Sequence, residues 1–194
     1  MSMGDTHRLL VRYTRLLANT GLISGSEGNL SVKLPDRILV TPGGVIKSEI
    51  IPEDLAEVEF SGKIISGKPT SELPMHLEIY RQAPEAGAVV HTHPPYTLAL
   101  SLAGFDFGKH YLAESQILLR RIATVPYFPP GSQELAEAAG EAIKEGRVII
   151  LARHGALTVG KTLEEAVNLS LILEKVARVI YLALNLNRKI KPLT

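Results

Sequence analysis

The 194-residue chain contains no cysteine and no tryptophan. Without cysteine there is no disulfide framework, no thiolate metal site and no cysteine nucleophile. Any metal must therefore be held by histidine or carboxylate. Charge of one sign is also lacking: 21 basic residues face 20 acidic ones, for a net charge of +1. No basic stripe or aromatic-basic run stands out, which argues against nucleic acid as a partner. Long uninterrupted apolar runs are missing too. The most apolar stretch, Leu169 to Leu186, is broken by Ser170, Glu174, Lys175, Arg178 and Asn185, so it reads as a buried or interfacial helix and not as a membrane span. The start, Met1-Ser2-Met3-Gly4-Asp5, is polar and has no apolar signal core. The expectation is a cytoplasmic enzyme with no membrane partner. P-loop and Rossmann glycine fingerprints are missing, which disfavours nucleotide binding.

What is present suits one globular domain over residues 1–194, since 45% of the residues are hydrophobic. Leu9, Leu10, Tyr13, Leu16 and Leu17 form one stripe of a helix from Thr6 to Thr20, with His7 exposed on it. Hairpins follow at Leu30–Leu34/Arg37–Thr41 and at Ala56–Phe60/Lys63–Ser66, separated by a short irregular turn from Ile50 to Asp54. Helices are expected from Pro74 to Arg81, from Pro95 to Leu102 and from Ser132, as N-cap, to Glu145. Val148 to Leu151 reads as a buried strand, and Thr124 to Tyr127 as extended. Tyr111 to Arg120 suits helix or strand equally. Thr162-Leu163-Glu164-Glu165 is a capping box opening a long helix to about Asn187. The mixture implies α+β or a three-layer α/β arrangement.

The segment that carries chemistry is Val89-Val90-His91-Thr92-His93-Pro94-Pro95. On a strand, side chains alternate, so His91 and His93 face the same way, and the prolines end the strand. Such a pair suits a transition metal. His154 also follows an apolar strand and precedes Gly155, which lets backbone come close to something. It is either a third ligand or a strand-end histidine bonded to backbone. Three histidines with an open position match a catalytic zinc site. Glu72, ahead of an apolar helix start, is either a first-turn glutamate favoured by the helix dipole or a carboxylate beside the metal. His76, on the same helix, reads as packing. Tyr111 is either a half-buried tyrosine or a proton donor, and Glu114 a solvated or paired charge. The stretches Gly28-Asn29, Thr41-Pro42-Gly43-Gly44 and Thr70-Ser71 are each a turn alone, and together a set of backbone N–H and hydroxyl groups able to cradle a phosphate.

Taken in order, Gly28-Asn29-Leu30-Ser31, Thr41-Pro42-Gly43, Thr70-Ser71-Glu72 with His76, His91-Thr92-His93-Pro94 and Arg153-His154-Gly155 resemble the class II aldolase/adducin family over nearly the whole chain. The resemblance implies a central, mostly antiparallel sheet between helix layers and a homotetramer with sites at subunit interfaces. It implies a metal on His91, His93 and His154, with Glu72 as acid–base carboxylate and ligand of the resting metal. Zinc is the expected ion, with Mn2+ or Co2+ as alternatives. It implies phosphate binding by Gly28, Asn29, Thr41, Gly43, Gly44, Thr70 and Ser71, and a catalytic role for Tyr111 reaching in from a neighbouring subunit. The implied substrate is a small sugar phosphate, a ketose 1-phosphate of the L-fuculose 1-phosphate kind, cleaved to dihydroxyacetone phosphate and an aldehyde. Sister reactions on the same scaffold are dehydration (as of methylthioribulose 1-phosphate), epimerisation and decarboxylation; a non-catalytic, adducin-like binding module is the alternative of another class. The aldolases also use an aromatic residue in a C-terminal tail, whereas here none follows Tyr181.

Overall fold

The computed structural model describes residues 3–186 and 189–193. Eight strands form one sheet: β1 (Asn29–Lys33), β2 (Arg37–Val40), β3 (Ala56–Glu59), β4 (Ile64–Ser66), β5 (Ala88–Thr92), β6 (Ile122–Val125), β7 (Val148–Leu151) and β8 (Gly155–Gly160), in the order β4-β3-β2-β1-β5-β8-β7-β6. All neighbours are antiparallel except β6 and β7. The helices are α1 (Met3–Asn19), α2 (Leu73–Gln82), α3 (Pro95–Leu102), α4 (Gln133–Ala142) and α5 (Leu163–Asn185).

Alternation along the strands builds a core on each face of the sheet. On one face, Val40, Val58, Val89, Leu157 and Val159 pack under Met75 and Ile79 of α2 and Leu135 and Ala139 of α4. On the other, Leu30, Leu39, Ala88 and Val90 pack under α1 and the start of α5. Val148, Ile150 and Ala156 continue that face under α3 and the rest of α5. The result is the three-layer α-β-α arrangement expected from the sequence. No described helix is long and apolar enough to cross a membrane.

Element identities match the sequence reading except in two places. Gly155–Gly160 is a fully buried strand, to which the sequence reading assigned no element. The ambiguous Tyr111–Arg120 stretch contains a π-helical turn over Ser115–Leu119. The turn near Ile50 is a 3-10 helix, Pro52–Asp54. Ser132 and Thr162 cap α4 and α5 as expected, accepting from the Leu135 and Glu165 N–H groups. The expected end of the last helix, Asn187, lies outside the described residues. His7 is half-buried, 3.7 Å from Glu57 of β3; the expected exposure does not hold.

Two features aim β5 at the site. His91 pairs with Asn29 across β1 and with Leu157 across β8. Beyond Pro94, the buried Glu174 of α5 accepts from the Tyr96 and Thr97 N–H groups and the Thr97 hydroxyl, satisfying the open N-terminus of α3. The exit from the strand is thereby tied to the long helix.

Candidate metal centre

His91, the fourth residue of β5, is fully buried. His93, just past the strand, has its N–H bonded to Leu22 O at 2.9 Å. His154 sits in the tight β7–β8 turn, where its N–H returns to Leu151 O at 3.0 Å and Arg153 takes a φ of +61°. Glu72 stands at the N-cap of α2, but its side chain caps nothing. It points instead at His91 and His154. The four side chains offer ligand atoms that all lie within 4.8 Å of one another.

Gly155 is what lets His154 join this group. A Cβ there would lie 2.4 Å from Thr92 O, 2.9 Å from His91 Cε1 and 3.1 Å from the His93 ring. The close approach expected of this glycine is thus to the Thr92 carbonyl of β5, with the rings of the other two histidines next.

The donor atoms fit a cation. Ala156 O can only accept, so the proton of His91 lies on Nδ1, 3.1 Å from it. Glu27 Oε2 lies 3.5 Å from His93 Nδ1 and favours the proton there. Both Nε2 atoms then present lone pairs, and they face each other at 3.0 Å. Glu72 Oε2 is 3.1 Å from His91 Nε2, and Glu72 Oε1 is 3.2 Å from His154 Nε2 without accepting a hydrogen bond. Converging lone pairs and a buried carboxylate repel one another unless a cation lies among them. Three imidazoles, one carboxylate and no thiolate suit a divalent ion such as zinc.

The electrostatics agree with that use. Burial pushes the His93 imidazole down to about 3, with the neighbouring His91 and His154 rings adding to the effect, so the ring is neutral as a ligand must be. Burial opposes ionisation of Glu72. Its interactions with His91, His154 and Asn29 outweigh that, holding the carboxyl well below the usual carboxylate range.

The three small-residue loops meet beside Glu72. Thr70 N–H donates to Thr41 O at 3.2 Å, Gly43 N–H donates to Lys68 O at 3.2 Å, and the Thr70 hydroxyl accepts from Glu72 N–H at 3.3 Å. The Thr41 hydroxyl accepts from Leu30 N–H, which ties this pair of loops to β1. Gly28 has φ +65° and a Cβ there would lie 2.9 Å from His91 O, so only glycine fits between loop and ligand strand. Gly44 and Ser71 are exposed at the rim, and the Asn29 side chain is buried against Glu72. Tyr111 stands outside the four-residue group. Its half-buried ring packs 5.4 Å from Phe105 in the cluster beneath α5. The preceding His110 accepts from Leu193 N–H at 2.7 Å. Glu114 is paired with Lys175, as a spare charge would be.

Sequence reasoning missed Lys47, Glu27 and the Ala156 carbonyl. Lys47 is only 1% exposed. Its ammonium donates to Ser26 O, Pro42 O and Val45 O at 3.1, 2.8 and 3.2 Å, stapling the Gly28 loop to the Gly43 loop. A lone lysine in a polar loop carries no sequence signal of burial. The other two contacts depend on strand pairing and loop placement across the chain.

Known proteins share this architecture. Residues 8–181 match the family model described as Class II Aldolase and Adducin N-terminal domain. An L-fuculose phosphate aldolase of Methanococcus vannielii is 39% identical, covering 92% of this chain and 97% of its own. A 3-oxo-tetronate 4-phosphate decarboxylase of Escherichia coli is 36% identical, over 89% and 84%. A solved L-fuculose 1-phosphate aldolase superposes with a TM-score of 0.89 at 28% identity, over 99% and 92%. With the fold, the ordered motifs and these likenesses in agreement, the chain belongs to the class II aldolase and adducin family.

Proposed function

We propose that this protein is a metal-dependent aldolase that reversibly cleaves a ketose 1-phosphate, of the L-fuculose 1-phosphate kind, into dihydroxyacetone phosphate and an aldehyde. The observation that carries the reading is the convergence of three imidazole Nε2 atoms and one buried, ionised carboxylate at the end of β5. His91, His93 and His154 would hold the cation, zinc first among the candidates, with Glu72 as a fourth ligand in the resting state. Such a cation supplies Lewis-acid withdrawal of charge from a substrate oxygen.

The chain's own groups do the rest. The Gly28-Asn29, Thr41–Gly44 and Thr70-Ser71 loops fix the phosphate end, so that the bond between C3 and C4 meets the site in one orientation. In the synthetic direction, Glu72 as the carboxylate takes a proton from C3 of dihydroxyacetone phosphate; cleavage runs the same step backwards, with Glu72 first taking up a proton from solvent and then delivering it to that carbon. Tyr111, contributed by a neighbouring subunit of a homotetramer, takes the proton of the C4 hydroxyl as the aldehyde forms and releases its own phenolic proton to solvent. The same reading places the enzyme in the cytoplasm.

A second reading is favoured by the decarboxylase relative. Loss of carbon dioxide from a 3-oxo-tetronate 4-phosphate leaves the same dihydroxyacetone phosphate enediolate, which Glu72 would protonate at the same carbon. The reactions differ in the departing group. Aldol cleavage needs a base for a hydroxyl proton, and decarboxylation does not. The test is to supply metal-loaded protein with each substrate and measure dihydroxyacetone phosphate. The aldolase reading expects release from L-fuculose 1-phosphate, lost in Tyr111→Phe. Release only from the oxo-acid, with Tyr111→Phe unimpaired, would replace it by the decarboxylase reading.

A further inference from the structure

The buried histidine that the mechanism above leaves unused is His76. It is fully buried and sits four residues after Glu72 on α2, with Tyr80 four residues further. A spacing of four puts these three side chains on one helix stripe. Asn29 and Ser31, two apart on β1, share one face of the sheet. The two rows interdigitate. Glu72 Oε2 meets Asn29 Nδ2 at 2.8 Å and Asn29 Oδ1 meets His76 Nε2 at 2.6 Å. His76 Nδ1 then meets Ser31 Oγ at 2.7 Å, and Ser31 Oγ meets Tyr80 Oη at 2.9 Å. All five residues are buried.

The direction of every hydrogen bond follows from one end. An ionised carboxylate only accepts, so the Asn29 amide nitrogen faces Glu72 and its carbonyl oxygen faces His76. That oxygen also only accepts, so His76 carries its proton on Nε2. His76 Nδ1 is then a lone pair and takes the Ser31 hydroxyl proton, which leaves Ser31 Oγ to accept from Tyr80. One arrangement satisfies every group, and it delivers an N–H to Glu72. Burial pushes the His76 imidazole down to about 3, in keeping with a neutral ring.

We infer that His76 is a positioning residue: through Asn29 it fixes the orientation of the Glu72 carboxylate, and so sets both the cation affinity of the centre and the proton transfer at carbon. This rests on the metal-centre reading above and assigns Asn29 a first duty toward Glu72. An incoming phosphate could use only the second hydrogen of that amide. Buried polar partners of this kind typically change metal affinity or activity by about 10–100-fold when removed.

Three measurements test it. The first needs neither metal nor substrate: nitrogen-15 NMR of the imidazoles should show His76 neutral with the proton on Nε2. The Nδ1–H tautomer or an imidazolium would overturn the inference. The second is Co2+ affinity by competition with a chelator. His76→Phe should bind about 10–100-fold more weakly, and His76→Gln, whose amide can still donate to Asn29, should recover most of the loss. The third is kcat against KM, where His76→Phe should lower kcat with little change in KM. Equal loss of thermal stability in both variants, with wild-type cation affinity, would reduce His76 to a packing residue and overturn the proposal. If His76→Phe does not fold, Ser31→Ala, which frees His76 Nδ1 from its partner, should weaken Co2+ binding in the same sense, and unchanged binding would count against it. Failure of the aldolase reading would appear as no cleavage by metal-loaded wild-type protein, while the tautomer and the cation affinity stay measurable.

Discussion

The histidine cluster and the loop cradle lie side by side and meet at Asn29 and Glu72, yet they are built from different materials. The cluster is made of side chains. Its donors come from β5, the β7–β8 turn and the start of α2, and are aimed by contacts with Ala156 O, Glu27 and Asn29. The cradle is made largely of backbone. Thr41, Gly43, Thr70 and Gly28 are placed by main-chain bonds and by the Lys47 staple. A cation needs lone pairs at set distances, which side chains provide; an anion needs N–H groups, which turns provide. The two halves should therefore fail in different ways when altered.

The largest effect is expected in the cluster. His91→Ala should lose the cation and, with it, several kcal/mol of transition-state stabilisation, so turnover should fall by roughly 10^3-fold or more. Metal analysis and initial rates check this together. Glu72→Gln should keep most of the metal, since the three imidazoles remain, and lose roughly 10^2- to 10^4-fold in turnover. A Gln variant with wild-type rate would remove Glu72 from the proton transfer.

The cradle should respond in affinity. Lys47→Met strands three carbonyls that now share one ammonium. A loss of about 1–3 kcal/mol in stability is expected, with a raised KM for the phosphorylated substrate and an unchanged cation stoichiometry. A variant that loses metal instead would blur the division between the two halves.

The smallest effect is the pH response of metal-free protein. His76 and His93 are pushed from 6.5 down to about 3 in the folded chain, by burial first. Between those values the unfolded chain binds protons that the native one does not. Stability should then be fully present above pH 6.5 and decline as pH falls toward about 3. The depressed carboxyl of Glu72 adds a loss in the same direction on acidification. Thermal melts across that range check the sign, and His76→Gln should make the decline shallower.

The same contrast explains what could be read in the sequence. His91 and His93 were legible because strand alternation puts residues two apart on one face, and Pro94-Pro95 marks the end of β5. Gly155 announced a close approach, and the structure shows it to be to the Thr92 carbonyl of β5 and then to the His91 and His93 rings. β8 escaped notice because Gly155-Ala-Leu-Thr-Val-Gly160 begins and ends in glycine and follows His154 with no turn signal between. Its strand character comes from pairing on both sides, with β5 and β7. The stripe of Glu72, His76 and Tyr80 is visible as a spacing of four, but only the docking of α2 on the sheet brings Asn29 and Ser31 of β1 against it. Lys47 was illegible for a related reason: its burial arises from two loops distant in sequence that fold over one ammonium.

The central claim is that one divalent cation, held by His91, His93 and His154, switches on the chemistry at Glu72. The direct measurement is dihydroxyacetone phosphate release from L-fuculose 1-phosphate by chelator-stripped protein as Zn2+ or Co2+ is titrated back. The account predicts no release without the cation and a linear rise that breaks at one ion per chain. Release that is indifferent to stripping, or stripped and reloaded protein that is equally inert toward this ketose phosphate and toward the oxo-acid phosphate, would contradict it.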